Sequence, residues 1–176
     1  MGVKNYLIEG GSGTGKTTVA EELQRRGYHV VHGDRQFAYY GDPETGAPVS
    51  LNPFDNEADN LRWAYDRWIW PVDEVKRLVA DQSNRVTFFC GHSANFRHFI
   101  GLFDQTFVLD VDLETLSRRL VARPEDEFGG RAIEQALVTL LHQSRQGLPE
   151  HAIAIDATAP VARVVDAILA HCDLAP

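Results

Sequence analysis

The chain has 176 residues, 44% hydrophobic and 24% charged, an ordinary globular make-up and enough length to bury a full core. One domain spanning residues 1–176 is therefore expected. A net charge of −8 and a pI near 5.3 argue against a nucleic-acid partner, because no basic stripe offsets the acid.

The first apolar segment, Val3 to Ile8, is too short for a signal or a membrane span, and no later run approaches membrane length. Cys90 and Cys172 give neither a disulfide framework nor a metal-ligand spacing. A reduced, cytoplasmic chain with no membrane partner is expected, as monomer or homodimer.

Val3 to Glu9 reads as a buried strand. It runs into Gly10-Gly11-Ser12-Gly13-Thr14-Gly15-Lys16-Thr17, which fits G-x-x-x-x-G-K-[ST]. At this glycine content the fixed positions coincide by chance with a probability on the order of one percent or less. Lys16 to Arg26 then carries Val19, Ala20 and Leu23 at helical spacing, and Gly27 supplies a stop. Strand, Gly-rich loop and helix come in the order a phosphate site needs. Glycines let successive N–H groups turn inward, and the helix adds its positive end. Lys16 is a point charge for the β- and γ-phosphates, Thr17 offers a hydroxyl to Mg²⁺, and Thr18 continues the nucleotide-binding set.

Tyr28 to His32 is a second strand, followed by Gly33-Asp34-Arg35. Residues 36 to 56 carry loop chemistry in Gly41, Pro43, Gly46, Pro48 and Pro53. Glu57 to Trp70 reads as a helix with Leu61, Ala64, Tyr65 and Trp68 on one face, and Val72 to Ala80 as another beyond Pro71. Arg85 to Cys90 is a third strand, running into Gly91-His92-Ser93 and a short helix through Phe96, Phe99 and Ile100. Thr106 to Asp110 is a fourth strand, and Asp112 caps a helix from Leu113 to Ala122. A charged loop, Arg123 to Arg131, leads to a helix from Ala132 to Gln146 with Ile133, Ala136, Leu137, Leu140 and Leu141 as its inner face. Ala152 to Asp156 is the fifth strand and Val161 to His171 the last helix.

Five apolar strands alternating with helices predict an α/β fold, a parallel sheet with helices on both faces. Ligands in such sheets sit beyond the carboxyl ends of the strands, which selects residues 10–17, 33–35, 91–93 and 156–160.

In these features the chain resembles the small P-loop kinases of the adenylate, shikimate and gluconate kinase group, over nearly its whole length. The resemblance implies a three-layer P-loop NTPase fold with sheet order 2-3-1-4-5. It also implies an acceptor-binding segment at about 34–70 and a lid at about 123–131. ATP and Mg²⁺ would be the cofactors and a small-molecule acceptor the partner: a nucleoside or nucleotide, a sugar acid or a shikimate-like ring.

Lid arginines of this group neutralise the transferred phosphoryl, a role that falls to Arg119 and Arg123, with Arg131 equally a partner of nearby acids. Adenine would lie against Ala157, Thr158, Ala159 and Pro160. Asp34 takes the place of the carboxylate facing the acceptor hydroxyl, against the alternative of capping its own turn. The third strand ends in Cys90-Gly91-His92-Ser93, not in a metal carboxylate or an Asp-Gly-x-Pro-Arg segment, so Asp34 is the expected metal carboxylate beside Thr17, with Asp110 second.

Acceptor contacts are sought in Asp34, Arg35, Arg67, Gly91, His92, Asn95 and Arg97, with surface ion pairing the alternative for the arginines. Ser93 reads as a helix cap. Tyr39, Tyr40, Trp63, Trp68 and Trp70 either stack on a ring-shaped acceptor or pack the core. The competing function is a nucleotide-dependent switch or assembly ATPase with a protein partner, which needs exposed apolar surface within 36–70.

Overall fold

The computed structural model describes residues 3–172 and 174. Strand β1 (Lys4–Glu9) is buried over all but its first residue because it has parallel neighbours on both edges, β5 (Val86–Cys90) and β6 (Gln105–Asp110). Strand β2 (His29–His32) adds to β5, and β7 (Ile153–Asp156) to β6. The resulting order, β2-β5-β1-β6-β7, is the expected 2-3-1-4-5 once the five sheet strands are counted along the chain.

Side chains alternate across the sheet with the period of two that strands impose. Tyr6, Ile8, Phe88 and Phe107 face helices α1 (Lys16–Arg25), α5 (Leu113–Val121) and α7 (Val161–His171) through Val19, Leu23, Leu116, Leu120, Val165 and Ile168. Leu7, Val31 and Phe89 face Trp70, Val75 of α4 (Val72–Ala80), Phe96 and Phe99. Both layers are apolar, and all five strands end at one rim.

The second strand leads into a single helical turn, α2 (Gly33–Gln36), which sets Asp34 at that rim. Beyond it the structure corrects the sequence reading. The stretch read as loop contains β3 (Tyr39–Tyr40), paired antiparallel with β4 (Trp68–Ile69). The helix expected over Glu57 to Trp70 ends at Tyr65 (α3, Glu57–Tyr65). Trp68 and Ile69 are strand formers, and here they have a strand to pair with; Pro71 also disfavours helical backbone at Trp70. The helix expected through Phe96 to Ile100 is two 3₁₀ turns, Phe96–His98 and Ile100–Leu102.

Helix α6 (Ala132–Ser144) stops short of Gln146 because Arg145 takes left-handed backbone, φ 53°. Its inner face is Glu134, Val138 and Leu141, whereas Leu140, expected inside, is 56% exposed. The helix is rotated by its N-terminal box: the Glu134 carboxylate accepts from Gly129 N at 2.9 Å and from the Arg131 guanidinium, drawing that side chain inward. In α5, by contrast, the Asp112 cap is as expected, accepting from Thr115 N at 2.6 Å.

Helices α1 and α7 are tied by charge. Glu22 accepts from Arg25 at 2.6 Å and from Arg26 at 2.8 Å, and Arg26 reaches on to Asp166 at 2.6 Å. These hydrogen bonds hold the Glu22 carboxyl down at about 2 from its ordinary 4.5. Because the folded value is the lower one, the stabilisation is complete above pH 4.5 and is lost as pH falls towards 2. Thermal melts of Glu22→Gln should lose less of their midpoint between pH 5 and pH 2 than parent melts; equal losses would sever the tie from stability.

Candidate nucleotide and acceptor site

Gly10 to Thr17 wraps the N-terminus of α1, with Gly13 and Gly15 at φ 83° and 102°, backbone that side chains resist. A Cβ on Gly13 would also meet Leu116 at 2.8 Å, so the loop can lie on α5 only with glycine there. Lys16 Nζ donates to the carbonyls of Gly10 at 2.5 Å and Gly11 at 3.1 Å. Burial pushes its pKa down, opposed by the charges of Asp34 and Glu9, and phosphate oxygens would further favour its charged form.

This loop borders a cleft of about 1200 Å³ lined also by Thr17, Thr18, Asp34, Arg35, Arg119, Arg123 and residues 157–161. Arg119 spans it, donating to Gly13 O at 3.3 Å, Thr14 O at 3.1 Å and Ala157 O at 2.8 Å. Ala157, Thr158 and Pro160 thus sit at the far end of the same cleft, with Thr158 turned back on Asp156. Arg123 donates to Ser12 Oγ at 2.7 Å and Phe128 O at 2.5 Å, pinning the 123–131 segment over the loop. Arg131 points away and is paired with Glu57 and Glu134.

Asp34 sits at the inner edge of the cleft. Its Oδ1 accepts from the indole Nε1 of Trp68 at 3.1 Å and of Trp70 at 3.3 Å, and from His92 N at 3.0 Å; Oδ2 takes only His92 N, at 3.1 Å. One oxygen is saturated and the other keeps lone pairs to offer. Gly91 permits this approach, since a Cβ there would stand 2.7 Å from Asp34 Oδ1 and 2.5 Å from Trp70 Cζ2.

Behind Asp34 lies a second cavity of about 390 Å³, walled by Tyr40, Leu61, Ala64, Tyr65, Trp68, His92 and Phe128. It shares Ser12, Lys16, Asp34 and Phe128 with the nucleotide cleft. The two spaces therefore meet at a lysine and a carboxylate.

Other residues nominated for the acceptor lie elsewhere. Arg35 borders the nucleotide cleft, Arg67 lies over the Trp63 ring at 3.1 Å, and Arg97 borders an outer groove with Asp104 and His151. Asn95 is spent on the backbone of Trp70, accepting from its N at 3.0 Å and donating to its O at 2.9 Å. Ser93 helps it, its Oγ 3.2 Å from Trp70 N. Asp110 is held by Arg145 at 2.8 Å and does not border the nucleotide cleft. Of the tryptophans, Trp70 is fully buried, Trp68 walls the cavity, and Trp63 packs edge-on to Phe54.

The sequence reading gave no role to Glu9. It ends β1 fully buried, and its carboxylate accepts from Gly10 N at 3.3 Å, His92 Nδ1 at 3.2 Å and Ser93 N at 3.2 Å. Its one signal is a charged residue closing an apolar strand directly before the glycines. Phe128 and Tyr65 also had no role in that reading; both border the inner cavity, and burial pushes the Tyr65 phenol pKa up.

The donor set suits Mg²⁺. Among the described residues no group of three or more His, Cys, Asp or Glu could cage a metal, and Mg²⁺ bound through phosphates needs only one or two protein oxygens besides water. Thr17, and Asp34 through a bound water, both bordering the cleft, would supply them.

A strand–glycine loop–helix unit, a cleft crossed by arginines and a parallel 2-3-1-4-5 sheet define a P-loop nucleotide-binding protein with the small-molecule kinase fold. The chain belongs to the AAA domain family, whose model matches residues 7–139. A sugar kinase from Janibacter sp. HTCC2649 is similar in structure at 19% identity and TM-score 0.57, covering 99% of this chain and 96% of that one. The shikimate kinase of Bacteroides thetaiotaomicron aligns at 15% identity and TM-score 0.59, over 97% and 99%. Deoxyadenosine kinase from M. mycoides, with bound dATP, aligns at 15% and 0.52, over 96% and 99%. No curated protein matches the sequence. No helix among the described residues is long and apolar enough to cross a membrane.

Proposed function

We propose that the protein is an ATP- and Mg²⁺-dependent kinase that transfers the γ-phosphoryl group to a hydroxyl of a small molecule. The observation that carries this reading is the meeting of two cavities at Lys16 and Asp34. A nucleotide lying along Gly10 to Thr17 would direct its last phosphate towards Lys16. An acceptor in the inner cavity would bring its hydroxyl to Asp34 Oδ2, the oxygen with spare lone pairs. The carboxylate orients that hydroxyl and takes its proton as the new O–P bond forms and the bond to ADP breaks. Thr17, with Asp34 through a bound water, would hold Mg²⁺, which would supply positive charge to the phosphates, and Arg119 and Arg123 would meet the charge that builds on the transferred group. Phe128 and the 123–131 segment, which Arg123 pins at Phe128 O, stand beside the junction, and their closure over a bound nucleotide would exclude water.

A switch would need its 36–70 apolar surface outward. Only Leu51 and Phe54 are large exposed hydrophobics there; Tyr40, Leu61, Ala64, Tyr65 and Trp68 turn towards the cavity instead. The test is ADP release from ATP and Mg²⁺ across uncharged nucleosides, nucleotides, sugar acids and shikimate. Strong stimulation by one class supports the kinase; slow release indifferent to all of them would return the weight to the switch.

A further inference from the structure

The inner cavity is unusual in charge. Among the described residues its borders hold one cation, Lys16, which belongs to the phosphate loop, and one anion, Asp34; no arginine lines it. The arginines nearest in sequence are engaged elsewhere: Arg35 in the nucleotide cleft, Arg67 on Trp63, Arg62 on Asp66 at 2.9 Å. An acceptor carrying a carboxylate or phosphate would leave water for aromatic and aliphatic walls with no partner for its charge, which weakens its binding.

The walls suit a flat ring. Leu61, Ala64, Tyr65 and Phe128 offer apolar surface, and Trp68 and Tyr40 stand 4.9 Å apart at one side. The volume of about 390 Å³ falls within the range that encloses small organic ligands.

One polar atom on this wall is unsatisfied. His92 is 7% exposed and its Nε2 has no hydrogen-bond partner among the described residues, although a buried nitrogen without one is costly. The rest of the ring is fixed: Tyr65 stacks on it at 4.7 Å and 18°, and Nδ1 lies 3.2 Å from Glu9 Oε2. Glu9 also accepts from two backbone N–H groups, so it acts as an acceptor throughout and Nδ1 carries the proton. Nε2 is then left with one open hydrogen-bonding position.

Resting on the kinase reading above, we infer that the phosphate acceptor is an uncharged, ring-bearing alcohol that hydrogen-bonds His92 Nε2 through a polar ring group while its reacting hydroxyl meets Asp34. Nucleosides have this chemistry; their phosphate esters and ring carboxylic acids do not.

The experiment compares adenosine, cytidine and thymidine with their 5′-monophosphates, shikimate and gluconate. Each is assayed for ADP release and, separately, for binding by the change in tryptophan emission, since Trp68 borders the cavity. An uncharged compound should exceed its charged counterpart in kcat/KM by at least about a hundredfold. His92→Gln, with its melting temperature checked, should raise KM for that compound about tenfold with kcat nearly held, and leave unchanged an analogue lacking that polar ring group. Leu61→Arg, a half-buried position on α3, should move preference towards phosphate esters. Preferred phosphorylation of a phosphate ester or an acid by the parent protein overturns the inference and leaves the kinase standing. Binding of an uncharged ring compound that never stimulates ADP release overturns the kinase and leaves the cavity's preference standing. No binding by any uncharged compound overturns the inference.

Discussion

Asp34→Asn is expected to lower acceptor-dependent turnover by roughly 10²–10⁴-fold, the range a positioned general base commands, while nucleotide affinity moves by no more than a few-fold. The substitution nearly conserves shape. Oδ1 already accepts from both indoles and from His92 N, so the amide oxygen of Asn will take that place and the NH₂ will fall where Oδ2 was. The group presented to the acceptor hydroxyl becomes a donor, unable to take a proton. The Lys16 ammonium also loses its largest favourable charge, which lowers its pKa further in the direction burial already pushes it. The alkaline limb of the residual pH–rate profile should therefore shift to lower pH. Turnover unchanged in Asp34→Asn, with ADP release still acceptor-dependent, would remove the base from Asp34.

Legibility in the sequence followed how local each demand was. The phosphate loop could be read because its chemistry fixes residue types within eight consecutive positions, Gly10 to Thr17. Asp34 could be read because it follows a strand at the rim of a parallel sheet. What could not be read was the set of partners that holds it. With residues 57–70 taken as one helix, Trp68 and Trp70 stand about 200° apart and cannot serve one carboxylate. In the extended segment they occupy, positions two apart point the same way, and both indoles converge on Oδ1. The misassigned element and the missed convergence have one cause, the pairing with Tyr39–Tyr40 across the intervening loop and helix. Glu9 was hidden similarly. A glutamate ending a strand is ordinarily solvated, and only donors from the β5 rim, His92 and Ser93, turn it into a buried anchor. Arg131 and Arg97 carried the right charge in the right segments, but one has closer carboxylates and the other projects to an outer groove.

Gly33→Ala is expected to cost about 3 kcal/mol of folding free energy by urea denaturation, against less than about 0.5 for Gly101→Ala. A Cβ on Gly33 would stand 2.2 Å from Trp70 Cζ2 and 2.5 Å from Cε2, whereas one on Gly101 meets nothing within 4 Å. The indole has nowhere to retreat. Trp70 is fully buried, stacked on Phe99 at 5.7 Å and 5° and met edge-on by Phe37 at 5.3 Å, so a shift would open space on one side and overlap on another. The same ring donates to Asp34, so movement sufficient to admit a methyl group also lengthens the 3.3 Å bond that fixes the carboxylate. Loss of stability should therefore come with loss of acceptor-dependent turnover even in the fraction that remains folded, and nucleotide affinity should hold. Unaltered stability in Gly33→Ala would mean the indole is loosely seated, and the rigid placement of Asp34 would lose its support.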